Sequence, residues 1–454
     1  MVLYNNTAGG LSPTVAGTPA ITIPVVMITQ AQGNTLSALI GAGPTQLTWT
    51  PTYVGYPYGT GGLISGFSSF GLAPDLSFKP DIGAPGGGIL STYPLGLGGT
   101  AVLSGTSMSS PHTAGAAALI LQAIPNAALG KSGPIVGRNA PPAINMRTRM
   151  MNTAKPKNWS GNPDLGFLDY AFRQGAGMVD IVAAVQSEQF VSPGKISTGE
   201  SQAGATLQKL TVRNDSTSPV TYALGHVAGL ATGPNAANGT ANWNPGSTFS
   251  APATVGFSSA SVVVPAKGVA TVDVTITANA ALPDRSLYGG YITLTPQGPG
   301  TPLQVPYSGL KGDYQTTVHV GAGPLTANPM PWLATLGGSS YTKCTSGCVY
   351  SLTNANTVPY LLLSLAHSPR TVKVEALDQA TLTTRGVVSV DDYVGRNGTP
   401  GGFYAFPWDG TTTLGTQPNG NYILRLSVLK ALGDAGNPAH WETWDSPALT
   451  LARP

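Results

Sequence analysis

Charge is the scarcest feature of this sequence. Only 9% of its 454 residues are Asp, Glu, Lys or Arg, where an average soluble domain carries about 25%. A net charge of +3 cannot build the basic stripe that a phosphate backbone requires, so no nucleic-acid partner is expected. Coiled coils and long solvated helices need far more Glu, Lys and Arg. Charge-driven disorder is excluded too, because 41% of the residues are apolar and the net charge is small. Apolar residues never run for about 18 positions, so no membrane-spanning helix is expected. The first residues lack the positive n-region and the apolar core of a secretory signal. The apolar stretch from Ile21 to Ile28 is broken by Pro24, and its β-branched content reads as strand.

Cysteine is also scarce. Cys344 and Cys348 are the two present. A metal site would want four ligands, and no second pair or neighbouring histidine supplies them, so no metal or cofactor is expected. The spacing reads as a small disulfide loop around Thr345, Ser346 and Gly347, with a pair of free thiols as the alternative. A disulfide fits an oxidising compartment. The sequon N-x-[ST] occurs at Asn5, Asn158, Asn214, Asn238 and Asn397, a pattern short enough to match by chance.

What is abundant is turn chemistry, with 59 Gly and 39 Pro, and a polar but uncharged complement of Ser, Thr and Asn. That texture suits a secreted, strand-rich protein. The length allows about three domains of ~150 residues. Val25–Thr29 reads as a strand and Thr35–Ile40 as a short helix, with Asn34 as its N-cap and Gly41 at its end. Residues 46–190 carry the longest helical patterns, at Met108–Ile124, Ile144–Thr153 and Met178–Glu188, separated by Gly/Pro-rich turns. The mixture suits an α/β layer structure. After about residue 191 strand patterns recur at short spacing. Leu210–Arg213 with Val220–Leu224 reads as a hairpin, as does Ser261–Val264 with Val269–Thr277. Tyr291–Thr295 and Leu303–Tyr307 continue that sheet, which suits a β-sandwich. From about 316 a second all-β unit follows, with Tyr360–Ser364, Thr371–Glu375 and Asn421–Ser427 as its clearest strands.

The segment that carries chemistry is Ser104-Gly-Thr-Ser-Met-Ser-Ser-Pro-His112. A glycine turn delivers Ser107 to the first turn of a helix. There its N–H can point at a developing oxyanion, and the helix dipole favours that charge. An N-cap role for the serine is the alternative on the local pattern alone. The small residues Ala114, Gly115 and Ala118 would let the helix approach a sheet closely.

Gly105-Thr-Ser-Met-Ser-Ser-Pro111 resembles the nucleophile signature of the subtilisin-like serine proteases, the subtilases. Upstream, Phe67–Gly71, Lys79–Gly86, Ile89 and Ser91 resemble the stretch before that signature. Downstream, Asn152-Thr-Ala154 and Gln174-Gly-Ala-Gly177 resemble later landmarks. The resemblance implies an α/β subtilisin-like domain, C-terminal half only, followed by all-β sandwich domains. Residues 1–45 would be the end of a protease-associated domain and 46–190 the nucleophile half of the catalytic domain. Residues 191–315 would be a fibronectin-III-like sandwich and 316–454 a second β module.

By the same resemblance the activity is that of a secreted serine endopeptidase. Ser107 would form the acyl-enzyme, and its own N–H would be one oxyanion donor. The substrates would be polypeptides. The triad partners are not legible. None of the five histidines, His112, His226, His319, His367 and His440, stands in an H-G-T-H-like context. No aspartate stands in a D-[ST]-G context, and Asp81 belongs to the structural Lys79–Gly86 stretch. Two expectations follow. One is that the chain is the C-terminal part of a longer extracellular protease, inactive alone. The other is a non-catalytic β-rich adhesion or carbohydrate-binding protein, contacting a cell wall or polysaccharide through tryptophans such as Trp243, Trp332, Trp408, Trp441 and Trp444.

Overall fold

In the computed structural model, residues 2–4, 26–48, 60–73, 75–123, 142–233, 248–316, 320, 330–365, 368–395, 397 and 402–454 are described. Met1–Gly59 and Thr60–Pro454 form separate units. In the first, strand β1 (Val2–Tyr4) pairs in parallel with β2 (Val26–Ile28). Helix α1 (Gln30–Ala42) follows. The helix starts earlier than its apolar pattern suggests, because Thr29 and Gln32 form a reciprocal capping box that satisfies the first amides. Asn34 therefore lies inside the helix, and Gly43 caps its end.

The second unit begins with irregular chain that leads into a two-stranded antiparallel hairpin, β3 (Ile89–Thr92) and β4 (Thr100–Leu103). Helix α2 (Thr106–Ala123), helix α3 (Pro142–Thr153), a single turn α4 (Ala171–Gln174) and helix α5 (Ile181–Gln186) follow. Ala116 and Ile120, one turn apart on α2, are buried against Met150 of α3 and Ala184 of α5. Arg149 ties these helices together. Its guanidinium donates to Ala184 O at 2.8 Å and Ser187 O at 2.6 Å, carbonyls at the end of α5, and lies 4.1 Å from the Phe190 ring centre. Burial lowers its pKa to about 10. Among the described residues, Ala114, Gly115 and Ala118 meet no sheet. All three are exposed, because the helix turns the opposite face, carrying Ala116 and Ile120, toward α3 and α5.

Residues from Gln189 onward form a sandwich. One sheet has four strands, β11 (Thr254–Phe257), β13 (Gly268–Thr277), β7 (Thr206–Asn214) and β5 (Gln189–Ser192). The other is built on the pair β14 (Leu287–Pro296) and β15 (Leu303–Leu310). It adds β6 (Ile196–Glu200) beside β15, and β8 (Val220–Ala228), β9 (Ala231–Thr232), β10 (Thr248–Phe249) and β12 (Ser261–Val264) on the far side. Alternation sets the inner faces. Val272, Val274 and Ile276 of β13 point inward with Leu210 and Val212 of β7.

Neither of the two expected hairpins forms. β7 pairs with β13 and β5, while β8 pairs with β12 and β14 in the opposite sheet. The same crossing separates β12 from β13. A period-two pattern fixes which face of a strand is inward and leaves its partner open. Asn214 holds this corner. It is fully buried, and its amide donates to Ser218 O, Val264 O and Pro265 O. Its sequon is thus a structural corner and not a surface acceptor.

β15 is buried along its whole length. Leu303, Val305 and Tyr307 enter the sandwich core, and its other face is met by α3 and α4. Phe78, Ala171 and Tyr291 pack together across this junction, and Tyr291 Oη donates to Gly175 O at 3.0 Å. The approach is close enough to need glycine. A Cβ at Gly289 would lie 2.6 Å from Tyr307 O and 2.9 Å from Ala171 Cβ.

The last module also pairs two sheets. One contains β16 (Trp332–Gly337), β17 (Ser340–Cys344), β19 (Pro359–Leu363) and β22 (Tyr404–Pro407). The other contains β18 (Cys348–Tyr350), β20 (Thr371–Asp378), β21 (Thr384–Asp392), β25 (Gly420–Leu429), β26 (Trp441–Asp445) and β27 (Leu449–Leu451). A short ribbon, β23 (Thr411–Thr412) with β24 (Gly415–Thr416), stands beside them. Cys344 and Cys348 are disulfide-bonded, so the free-thiol alternative does not hold. The bond spans the point where the chain leaves β17 in one sheet and enters β18 in the other.

Asp169 is fully buried at the first junction, facing Arg173 at 3.3 Å. Burial pushes its carboxyl up to about 6, against the attraction of Arg173 and a hydrogen bond from Tyr170 N. Between its ordinary value near 3.8 and about 6, the folded state holds a proton that the unfolded chain has released. Stability from this group therefore falls as pH rises through that window. Melting the wild type and Asp169→Asn across pH 4 to 6 should show the wild type's relative stability shrinking as pH rises; a constant difference would contradict the burial effect. Replacing both Cys344 and Cys348 with alanine closes no loop in the unfolded state. Because the loop is short, denaturant unfolding should report a loss of about 2 kcal/mol.

Candidate active site

Ser107 is the second residue of α2, and its side chain is exposed. Two backbone contacts hold the turn that presents it. Gly105 N donates to Gly86 O at 2.8 Å, and Met108 N donates to Gly105 O at 3.0 Å. A side-chain contact adds to them, with Ser109 Oγ donating to Ala84 O at 2.8 Å. The segment Lys79–Gly86 is therefore the bed of the turn that carries Ser107. Gly86 has to be glycine here, since a Cβ would sit 2.8 Å from Gly105 O. Ser104 Oγ accepts from Gly88 N at 2.8 Å and closes the base of the β3–β4 hairpin beside it.

The chemistry this arrangement favours is attack by the serine oxygen with the oxyanion received at the helix start. First-turn amides have no acceptor inside the helix, and the aligned peptide dipoles add positive potential there. Pro111 lies inside α2. Lacking an N–H, it leaves the Ser107 carbonyl without its i+4 donor.

The three described histidines do not complete the site. His112 is exposed and five residues further along α2, about 140° around the helix axis from Ser107 at 100° per residue. His226 bonds through Nε2 to Tyr307 Oη at 2.7 Å inside the sandwich, and burial lowers its pKa. His440 accepts from Asp434 N at 2.8 Å through Nδ1 in the last module. His319 and His367 lie outside the described residues. Asp81 bonds Lys79 at 2.8 Å and Lys195 at 2.5 Å. Burial works to raise its pKa, and the two lysines bring it below the usual carboxylate value. It is a structural anchor, as its place in the motif implies.

The downstream landmarks bridge to the sandwich. Asn152 donates to Gln304 O at 3.1 Å and accepts from Val191 N at 2.8 Å. Gln174 accepts from Lys157 N at 2.8 Å and donates to Asp169 O at 2.9 Å. Gln304 was not singled out by the sequence, since a lone glutamine in a strand carries no local signal. The i,i+4 spacing of Asp169 and Arg173 was the one visible hint of the buried pair.

Among the described residues no group of three His, Cys, Asp or Glu side chains is placed to hold a metal ion, and no helix is long and apolar enough to cross a membrane. Of the tryptophans considered for sugar stacking, Trp408 is buried with its Nε1 donating to Thr411 O at 2.8 Å. Trp444 packs on the module core, and Trp332 and Trp441 lie beneath Lys343 and Lys373 at 5.3 and 5.5 Å. Trp243 lies outside the described residues.

The close approach at Gly86 is testable. Gly86→Ala should cost about 1–3 kcal/mol of stability, while Gly66→Ala, where an added Cβ meets nothing within 4 Å, should be nearly neutral. Equal denaturation midpoints for the two variants would refute the packing argument.

Residues 5–177 match the Subtilase family, Peptidase S8, and residues 197–308 match an Fn3-like domain. The chain is 31% identical over 236 residues to the minor extracellular protease Vpr of Bacillus subtilis, covering 49% of this chain and 26% of that protein. It is 28% identical over 340 residues to the PII-type proteinase of Lactococcus lactis subsp. cremoris, covering 69% and 17%. Pyrolysin of Pyrococcus furiosus is 33% identical over 125 residues, covering 26% and 9%. The chain thus spans about a quarter or less of the length of these relatives. It carries a subtilase-family segment, Peptidase S8, over residues 5–177, followed by an Fn3-like domain over residues 197–308.

Proposed function

We propose that this chain is part of an extracellular serine endopeptidase and supplies its nucleophile, Ser107. The observation that carries the reading is the exposed serine at the start of α2, on a turn fixed by the Gly86–Gly105 backbone contact. In the acyl-transfer step, Ser107 Oγ bonds to the carbonyl carbon of a polypeptide and the carbon–nitrogen bond breaks. The proton passes to a base and then to the leaving amine. The Ser107 amide at the helix start receives the oxyanion. Residues 46–190 form the nucleophile half of the catalytic domain in this reading, and 1–45 the end of a protease-associated domain. The base and its orienting aspartate are not supplied by the described residues, so the chain alone is close to inert. The disulfide between Cys344 and Cys348 suits the oxidising exterior.

A small-molecule base can take the place of the missing imidazole at an exposed serine. Treating the full chain with a fluorophosphonate probe and increasing imidazole should label Ser107 in an imidazole-dependent way, mapped by mass spectrometry and lost in Ser107→Ala. Labelling of Ser107 no faster than of exposed Ser104 or Ser110 at every imidazole concentration would refute the reading.

A further inference from the structure

Gln304 is the second residue of β15, on the face turned toward the end of α3 and the Gln174–Gly177 stretch. It is 7% exposed. Its side-chain amide donates both hydrogens across the junction, one to Ala154 O at 2.6 Å and the other to Ala176 O. Its own carbonyl accepts from Asn152 Nδ2 at 3.1 Å. One residue of the Fn3-like domain thereby fixes two separate segments of the subtilase-family part.

Both segments lead to the nucleophile turn. Ala154 and Asn152 lie at the end of α3, whose Met150 packs on Ala116 and Ile120 of α2. Ala176 N donates to Asp81 O at 3.0 Å, Gly83 N donates to Gly177 O at 2.9 Å, and Val179 N donates to Gly83 O at 2.9 Å. Asp81 and Gly83 run directly into Ala84 and Gly86, the carbonyls that hold Ser109 and Gly105. One route supports the body of α2 and the other supports its first turn.

We infer that Gln304 is a positioning residue for Ser107, so that the Fn3-like domain sets the orientation of the nucleophile turn and does more than append to it. This deepens the proposed function and rests on it for the role of Ser107, though not for the coupling itself. A side chain that satisfies two buried carbonyls has no equivalent in an apolar residue of similar size, because each carbonyl left unpaired carries a desolvation cost. The segments then shift to recover partners, and the turn loses its bed.

The test uses the full chain with Gln304→Leu and Gln304→Glu, read by hydrogen exchange over residues 81–86 and 103–109 and over 271–276 in the sandwich core. Positioning predicts that Gln304→Leu speeds exchange at Gly83 and Gly105 by about tenfold while 271–276 keep their protection. Imidazole-assisted phosphonylation of Ser107 falls by about the same factor. In Gln304→Glu the carboxylate at neutral pH donates nothing, whereas its protonated form donates one hydrogen. Protection at Gly83 and Gly105, corrected for intrinsic exchange, should therefore recover in part as pH falls toward the carboxylate range of about 4–5. This second variant decides the matter if the leucine variant does not fold. Unchanged exchange at 103–109, or equal loss at 271–276 without acid recovery, would overturn the inference. If Ser107 of the wild type does not label while the exchange pattern holds, the functional reading fails and the coupling stands.

Discussion

The contact between the backbones of Gly86 and Gly105 is the constraint on which the site depends. It is one hydrogen bond, worth about 1 kcal/mol net by the usual measure, but its value is geometric. The chain can come this close only because Gly86 has no side chain. The approach fixes where α2 begins, and the beginning of α2 fixes where Ser107 and its amide stand. The sequence run Lys79–Gly86 and the run Gly105–Pro111 are separated along the chain and meet face to face in the fold. Their shared resemblance to one family signature is the trace of that meeting.

The site rests in turn on the sandwich. α2 buries little of its own surface, with Leu119 and Leu121 both well exposed, so its position is borrowed from α3, α5 and the junction beneath them. That junction is polar and buried. Gln304, Asn152, Gln174, Asp169 and Arg173 are all buried there, and each has partners across or along the junction. Such networks are costly when half satisfied and stiff when complete. Apolar packing of Phe78, Ala171 and Tyr291 supplies cohesion, while the hydrogen bonds supply register. The charge-poor composition fits this design, since among the described residues the few buried ionic groups are the paired ones and Arg149, whose charge is met by carbonyls and an aromatic face.

The helices and strands were largely legible because their signals are local. The Ala-rich run after Ser107, the alternation in Val269–Thr277 and the repeated valines of Ser261–Val264 each name their own conformation. What was not legible was pairing. Arg213 and Val220 flank a turn that looks like a hairpin, yet the chain crosses between sheets there, with buried Asn214 at the corner. The capping box at Thr29 likewise outweighed the apolar pattern that suggested a later helix start. Ser107 was legible by motif, and its partners in support were not. Gln304 acts through a contact 150 residues away in sequence, and no spacing rule reaches that far. The exposed flank of Ala114, Gly115 and Ala118 shows the converse, a local signal for close packing that the described residues leave unused.

The central claim is that the start of α2 is built to receive an oxyanion formed at Ser107. The most direct measurement is a crystal structure of the chain phosphonylated at Ser107, which places a stable tetrahedral oxygen where the transient one would stand. The account predicts that this oxygen lies about 2.7–3.1 Å from the Ser107 amide nitrogen, on the axis of the helix. An adduct whose oxygens all turn to solvent, with that amide unengaged, would contradict it.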